Sequence, residues 1–344
     1  AHFMTNKPAA TVNNQKGSVL IIVLWTSVLL TVLVTAMAGK VRLAAQTVAH
    51  NQDVSSHWAA VMGSVHQAEM ELMLEMMAPP IDQEVKLTEE GEARNPRYRF
   101  NVQPLSLHYP QAEELVVRIY DQAGKINLIR IPRRIMQMRI EKRLGGLDAD
   151  PEQVQDLLSA WTDWTDLNNL EGLNGAEEDY YQSLELGYSP RNNPELDTVE
   201  EILHIRGFAE LLEGVNLEAA FTIYGNNRSV NLNLATREAM ALLPGLDEVL
   251  IENILAFREF EDINNRAEVG EIVPFENLQE LSAWIGTNTS QIYSVYVYPR
   301  AALSEAQQLA LEDTQEFVNP DPVMQALSLI HISEPTRLRR ISYA

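Results

Sequence analysis

The chain has 344 residues, with 48 Asp and Glu against 26 Lys and Arg, and a formal charge of −22. That balance opposes nucleic-acid binding, which needs cations to displace phosphate counterions. The absence of cysteine excludes thiol catalysis, thiolate metal sites and disulfides. With 46% hydrophobic residues, a packed core is feasible over about two domains.

In chain order, Ala1-His2-Phe3 reads as non-native sequence before Met4, the expected start. No Asp or Glu precedes Asp53, and Gly17 to Gly39 is an uncharged, largely apolar run between Lys16 and Lys40. About 20 such residues cross a bilayer as a helix. The flanking positive charges balance (Lys7 and Lys16 against Lys40 and Arg42), so they do not fix an orientation. Three readings of the run stand side by side. Ala36-Met37-Ala38 offers an A-x-A secretory cleavage site; the run is a plain signal anchor; or the cut falls before it, after Gly17. In the third case Gln15-Lys16-Gly17 followed by Ser18-Val19-Leu20-Ile21-Ile22 resembles a prepilin signal. That resemblance implies cleavage between Gly17 and Ser18, N-methylation of Ser18 and retention of the apolar helix. Most pilins carry Glu at the fifth mature position, where this chain has Ile22. A carboxylate in lipid is costly unless paired, and a subunit with nothing stacked above it needs none.

From Val41 to Met77 there is no Pro and one Gly, with apolar residues at helical spacing (Val54, Trp58, Val61, Met62, Val65, Leu72). The pattern predicts one helix over about 18–77, stopped by Pro79-Pro80, its amphipathic second half lying on a sheet and Met70, Met73, Met76 and Met77 filling core. Strands are expected at Arg97–Pro104, Glu114–Tyr120 and Lys125–Ile129, with a turn at Asp121-Gln122-Ala123-Gly124. This order predicts an α+β fold.

Helical periodicity then runs from about Pro132 to Glu213. Pro151 marks a helix start capped by Asp148 or Asp150, with Val154, Leu157, Leu158 and Trp161 as its apolar face. The stretch Trp161 to Tyr181 is rich in carboxylates, Asn and Gly. Calcium takes six to eight oxygen ligands, and Gly172 and Gly175 let the backbone bend. The EF-hand register fails, so the residues alone leave a calcium loop and a solvated acidic loop both open. Thr198 and Glu201 form a capping-box pattern before a helix ending at Arg206-Gly207. Finally, Asn231 to Arg258, with Leu243-Pro244-Gly245 at its turn, has the pattern of a helix-hairpin-helix. Here Asp247 and Glu248 stand where a phosphate-binding turn needs neutral residues, so the hairpin reads as helix packing.

Together these blocks resemble the K-type minor pseudopilins of type II secretion. DQAGKINL is similar to that family's closing stretch of the first strand region. Asp163, Trp164, Asp166, Asn168, Gly175, Ala176, Glu177, Glu178, Tyr180 and Tyr181 follow its acidic motif, although Asn168 replaces an Asp and Glu171 a Pro. The resemblance implies a pilin-like head, with a long N-terminal transmembrane helix packed on an antiparallel sheet, and a large all-helical insertion containing helix-hairpin-helix-like elements. It implies a structural calcium held by Asp163, Asp166, Asn168, Glu177 and Glu178, with Trp164, Tyr180 and Tyr181 in the core. It implies no enzyme but a tip or initiation subunit of the periplasmic pseudopilus. Its partners would be the I- and J-type minor pseudopilins, the major pseudopilin, the inner-membrane secretion platform, prepilin peptidase and exported proteins. The chain would pass once through a Gram-negative inner membrane, its C-terminal domain in the periplasm.

The expected organisation is a leader at 1–17, a transmembrane half-helix at 18–39, pilin-like helix and strands at 40–130 and a helical insertion at 131–225. The hairpin and return to the sheet follow at 226–300, with Ser290–Arg300 as a strand, then an acidic, weakly structured tail at 301–326. Leu327–Arg337 (LSLIHISEPTR) resembles translated sequencing-adaptor sequence, so 327–344 is set aside from the fold. No P-loop, G-x-S-x-G or H-E-x-x-H motif occurs. Two rival readings remain: a membrane-anchored DNA-binding protein using the hairpin, and a secreted hydrolase with a calcium loop.

Overall fold

The computed structural model describes residues 16–75, 101–104, 115–190, 193–312, 317 and 326–331. The chain divides into two units, Ala1–Ala60 and Val61–Ala344. Helix α1, Lys16–Glu75, begins in the first and ends in the second. It is long and apolar enough to cross a membrane, with a mean hydropathy of 2.6 in its best 18-residue window. In the first unit every described side chain from Val19 onward is exposed apart from the half-buried Ala60. The hydroxyls in the apolar stretch are satisfied within the helix. Thr26 donates to Val23 O at 3.0 Å, Ser27 to Leu24 O at 2.9 Å and Thr31 to Ser27 O at 2.8 Å. Such back-bonding leaves no donor to face hydrocarbon unpaired.

In the second unit Val61, Ser64, Val65, Ala68 and Leu72 form the buried stripe of α1, at helical spacing. The apolar pattern had been expected to extend further, but Val54 and Trp58 are 54% and 60% exposed. Met70 and Met73 are also exposed rather than core, because they lie off the stripe set by Val61, Ala68 and Leu72. Met76, Met77 and the segment before Asn101 lie outside the described residues.

The main sheet has the order β1-β2-β7-β8, all antiparallel: β1 Asn101–Pro104, β2 Leu115–Asp121, β7 Ile292–Pro299 and β8 Ala326–His331. Strands β2 and β7 pair residue for residue from Leu115↔Pro299 to Asp121↔Tyr293. All of β2 is buried. On one face Val116, Tyr120, Tyr296 and Tyr298 pack with Ala219, Leu303 and Phe317. The Tyr120 and Tyr296 rings meet edge to face at 5.4 Å. Residues 327–331, set aside on sequence grounds, lie in β8. A ladder is closed by backbone groups, so an apolar run suffices to cover the β7 edge. The tail holds more structure than expected: a 3₁₀ turn at Arg300–Ala302 and helix α11, Glu305–Glu312.

Between β2 and β7 the regular structure is mostly helical. In order come α2 Arg133–Arg143, α3 Pro151–Thr165, α4 Glu178–Ser183, α5 Phe208–Leu211 and α6 Leu217–Ala220. Then follow α7 Arg237–Ala241, α8 Glu248–Phe260, α9 Arg266–Ile272 and α10 Phe275–Leu281. One hydrophobic core runs from Ile126 to Ile285 through these helices, continuous on both sides of residue 225. Short parallel pairs stitch it: β3 Ile126–Asn127 with β4 Phe221–Thr222, and β5 Val230–Asn231 with β6 Ile285–Gly286. Expected as a third strand of the head, Lys125–Ile129 instead gives only β3 and a 3₁₀ turn. The Asp121 turn directs it away from the sheet.

Three buried polar side chains make that junction. Asp121 accepts from Ala123 N at 2.8 Å and Ser290 N at 3.1 Å, tying the end of β2 to the approach to β7. Lys125 donates to Glu218 O at 2.7 Å beneath the rings of Tyr120 and Phe317. Asn127 donates to Tyr224 O and Gly225 O, both at 3.0 Å, and accepts from Ile129 N. From the sheet side, the Tyr296 hydroxyl donates to Glu218 Oε1 at 2.6 Å.

Burial, opposed in part by Glu218 and Glu238, lowers the Lys125 ammonium from its usual 10.5 to about 8. A lowered lysine costs stability while it stays charged, and the folded state regains that cost as pH rises from about 8 to 10.5. The unfolding free energy of wild type should therefore gain on that of Lys125→Met across this window. The relative gain reaches about 3 kcal/mol at about 1.4 kcal/mol per pH unit. Denaturant titrations at both ends of the window measure it, and parallel pH profiles would contradict the assignment.

Candidate metal centre

Helix α3 starts as expected, with Pro151 in its first turn and Asp150 accepting from Glu152 N at 3.0 Å. Its apolar face buries Val154, Leu157, Leu158, Trp161 and Trp164. Asp163 lies on the same buried side and is 2% exposed. A buried carboxylate must be hydrogen-bonded, and here the following loop folds back to do it. Gly172 N donates to Asp163 Oδ2 at 3.1 Å and Ala176 N at 2.9 Å. A Cβ on Gly175 would stand 1.7 Å from Asp163 Oδ2, so only glycine admits this approach.

At the C-terminal end of α3, Asp166 accepts from Asn168 N at 2.9 Å. Glu177 caps α4, its Oε2 accepting from Glu178 N at 3.3 Å. Its Oε1 is buried with no hydrogen-bond partner. Carboxylate oxygens of Asp163, Asp166 and Glu177 all lie within 4.8 Å of one another. Burial, then the charges of Asp163, Asp166 and Glu171, push the Glu177 carboxyl up from its ordinary value, against the one backbone bond that lowers it. Three of the five expected ligands are thus brought together. The other two are turned elsewhere: Asn168 Oδ1 accepts from Leu170 N at 2.9 Å, and Glu178 Oε1 from Gln182 at 2.7 Å.

A cation outside the acidic motif completes the loop. Arg206 donates to Gly175 O at 2.8 Å and to Asn174 O, and its guanidinium lies 5.3 Å from the centre of the Tyr180 ring. By sequence Arg206 reads as a helix end and the start of a degenerate hairpin turn, Arg206-Gly207-Phe208-Ala209. Its adjacency to Gly207, where φ is +79° and α5 begins, was the available signal. Trp164 and Tyr181 are core, as expected, while Tyr180 is half-buried. Trp164 Nε1 donates to Glu201 Oε1 at 3.0 Å. Glu201 Oε2 accepts from Asp197 N at 2.7 Å, so the expected capping box at Thr198 is replaced by a 3₁₀ turn at Glu200–His204.

The hairpin of α7 and α8 exists, but its phosphate-binding features are used internally. Gly245, at φ +74°, has its backbone against Asn277, whose Nδ2 donates to Gly245 O at 2.9 Å. Asp247 caps α8, accepting from Leu250 N. Arg258 is 1% exposed and donates to Leu232 O and Ala235 O. Arg237 pairs with Glu248 and Glu252, which are largely exposed; such pairs contribute at most about 1 kcal/mol. At the other end of the chain, Gly17 and Ser18 lie in the first turn of α1, and Ile22 is 61% exposed.

The chain thus combines a membrane-compatible N-terminal helix, a small antiparallel sheet and a helical insertion carrying an acidic loop. Residues 99–213 match the family described as type II secretion system (T2SS), protein K. That stretch is about a third of the chain, and over it the chain is similar to the type II secretion protein K family. A solved structure described as the GspK-GspI-GspJ complex from the enterotoxigenic Escherichia coli type 2 secretion system is 14% identical. That match covers 73% of this chain and 89% of that chain, with a TM-score of 0.45. No curated protein sequence matches the chain.

Gly175→Ala should force the buried Asp163 carboxylate out of its cradle and destabilise the protein by about 1–3 kcal/mol, the usual cost of overpacking. Chemical denaturation of the two proteins decides it; equal midpoints would show that the loop yields freely.

Proposed function

We propose that this chain is a tip or initiation subunit of a periplasmic pseudopilus, joining I- and J-type minor pseudopilins. The observation that carries the reading is the protein K domain at 99–213 within a chain that has an apolar helix before it. A complex of those three subunit types is what the solved structure describes for its own proteins. In this reading the apolar part of α1 anchors the chain once in the inner membrane and packs among neighbouring filament helices, with prepilin peptidase cleaving between Gly17 and Ser18. Ile22 leaves that helix without a carboxylate to pair with a subunit above. The helical insertion projects into the periplasm, and the role is assembly, not catalysis. The internal use of Gly245 and Arg258 favours this over DNA binding.

Coexpression of the full chain with prepilin peptidase and the I- and J-type subunits of its source organism tests the proposal. Mass spectrometry is expected to find a mature chain beginning at Ser18, co-eluting with both subunits. A chain beginning at Gly39, or one that elutes alone, overturns it.

The acidic loop is proposed to hold a structural calcium ion through Asp163, Asp166 and Glu177. The residues fit a hard cation: three oxygen donors converge, and a buried Glu177 oxygen lacks any partner. Asp163 keeps free lone pairs beside its N–H bonds, since a carboxylate offers about four acceptor sites. The ion would supply the positive charge that this cluster otherwise lacks.

Without the ion, the raised Glu177 carboxyl gives stability present below the usual carboxylate range and lost as pH rises through its folded value. Calcium at about a hundredfold excess over Kd should add about 2.7 kcal/mol. Thermal unfolding at pH 7 in chelator and in calcium is expected to show that rise for wild type. Glu177→Gln should be at least as stable as wild type in chelator and gain nothing from calcium. Identical wild-type transitions in the two buffers would remove the ion from the account.

A further inference from the structure

Helix α2 is the basic element of an acidic protein. Residues 130–143 hold Arg130, Arg133, Arg134, Arg139, Lys142 and Arg143 against the single acid Glu141. Two of these cations are used in packing. Lys142 donates to Leu243 O and Leu246 O, and Arg143 to Leu211 O and Glu213 O. Each thereby ties α2 to backbone carbonyls, which needs a donor but no anion.

Arg139 differs. Its Nε and Nη1 are buried with no hydrogen-bond partner. No carboxylate pairs with it among the described residues, and burial alone lowers its guanidinium to about 9. The Trp284 ring lies 4.5 Å from the guanidinium carbon. A ring face attracts the charge but accepts poorly from N–H groups that lie in the guanidinium plane. Buried donors of a charged group are among the costliest to leave unmade. The side chain therefore has a charge partner on one face and vacant donors at its edge.

Arg139 also lines a cavity of about 150 Å³, together with Ile140, Phe208, Phe221, Lys142 and Arg143. A cavity of that volume holds a benzene-sized group. Apolar walls with one convergent charged group are the usual build of a small-ligand site. With Lys142 and Arg143 committed to carbonyls, Arg139 is the group left to orient a ligand. The cavity lies between α2, the 3₁₀ turn at Glu200–His204, α5, β4 and α7, so it belongs neither to the acidic loop nor to the main sheet.

We propose that this cavity binds a carboxylate carried on a benzene-sized apolar group, with Arg139 taking the carboxylate and Ile140, Phe208 and Phe221 enclosing the apolar part. A water would relieve the donors but leave the apolar walls unfilled. A fully hydrated inorganic anion would meet three apolar side chains for one charge. The same chemistry is offered by a free aromatic acid and by a peptide ending in an aromatic residue, and the experiment separates the two.

The full chain in detergent is titrated with three fluorinated probes, followed by ¹⁹F line broadening. They are 4-fluorobenzoate, neutral 4-fluorobenzyl alcohol and the peptide Gly-Gly-(4-fluorophenylalanine) with a free carboxylate. The expected result is saturable binding of one of the acids, at least about tenfold tighter than the alcohol. Which acid binds identifies the source. Arg139→Met should remove the preference for the acid, with circular dichroism checking that the variant folds. Ala241→Phe, which keeps Arg139 but narrows the cavity, should weaken the acid by a similar factor. Binding of neither acid, or acid binding equal in wild type and both variants, overturns the proposal and leaves Arg139 as a hydrated structural cation.

Discussion

The arrangement of this head depends on polar side chains buried between residues 121 and 127, Asp121, Lys125 and Asn127 among them. Each would be costly to bury alone, and each is satisfied by a segment far away in sequence. Asp121 reaches Ser290, Lys125 reaches Glu218, and Asn127 reaches Tyr224 and Gly225. The bonds are directional, so they fix where the chain leaves β2, where the insertion closes and where β7 begins. Apolar packing at Tyr120, Tyr296 and Phe317 then fills the space around Lys125. Hydrophobic burial favours a compact insertion in many orientations, whereas these hydrogen bonds select one.

A similar division of labour holds in the acidic loop. Trp161 and Trp164 anchor α3 in the core and carry Asp163 inward with it. The loop from Asp166 to Glu177 then bends to bring its backbone N–H groups to Asp163, and Arg206 holds two of its carbonyls from the other side. Carboxylates of like charge remain close together, and the pressure shows on Glu177. A loop so built couples local order to whatever neutralises it, which is how a bound cation would stiffen a subunit surface without any change of fold.

The hairpin of α7 and α8 shows how little a motif decides by itself. Its turn has the glycine of a phosphate-binding hairpin, but α10 covers that turn through Asn277. Its basic residue, Arg258, is drawn into the core by two carbonyls. Buried charge and covered backbone make the motif a packing element, which suits a protein of charge −22.

Local chemistry was legible in the sequence by itself. An uncharged run of membrane length, Pro151 behind an Asp cap, the β-branched run of β2 and the Leu243-Pro244-Gly245 turn each follow from interactions within a few residues. So did the grouping of acids between Asp163 and Glu178, since they are close in the chain. Tertiary structure alone decided which of them converge. Glu177 meets Asp163 across 14 positions because the α3 core and the Gly175 approach hold both, while Asn168 and Glu178 satisfy backbone or neighbouring groups. It likewise exposed Met70 and Met73, sent Lys125–Ile129 out of the sheet and left Arg139 facing Trp284 across 145 residues. Periodicity and capping are set by near neighbours and can be read from order alone. Burial, charge pairing and cavity formation depend on which distant surfaces meet, and that is settled only when the core closes.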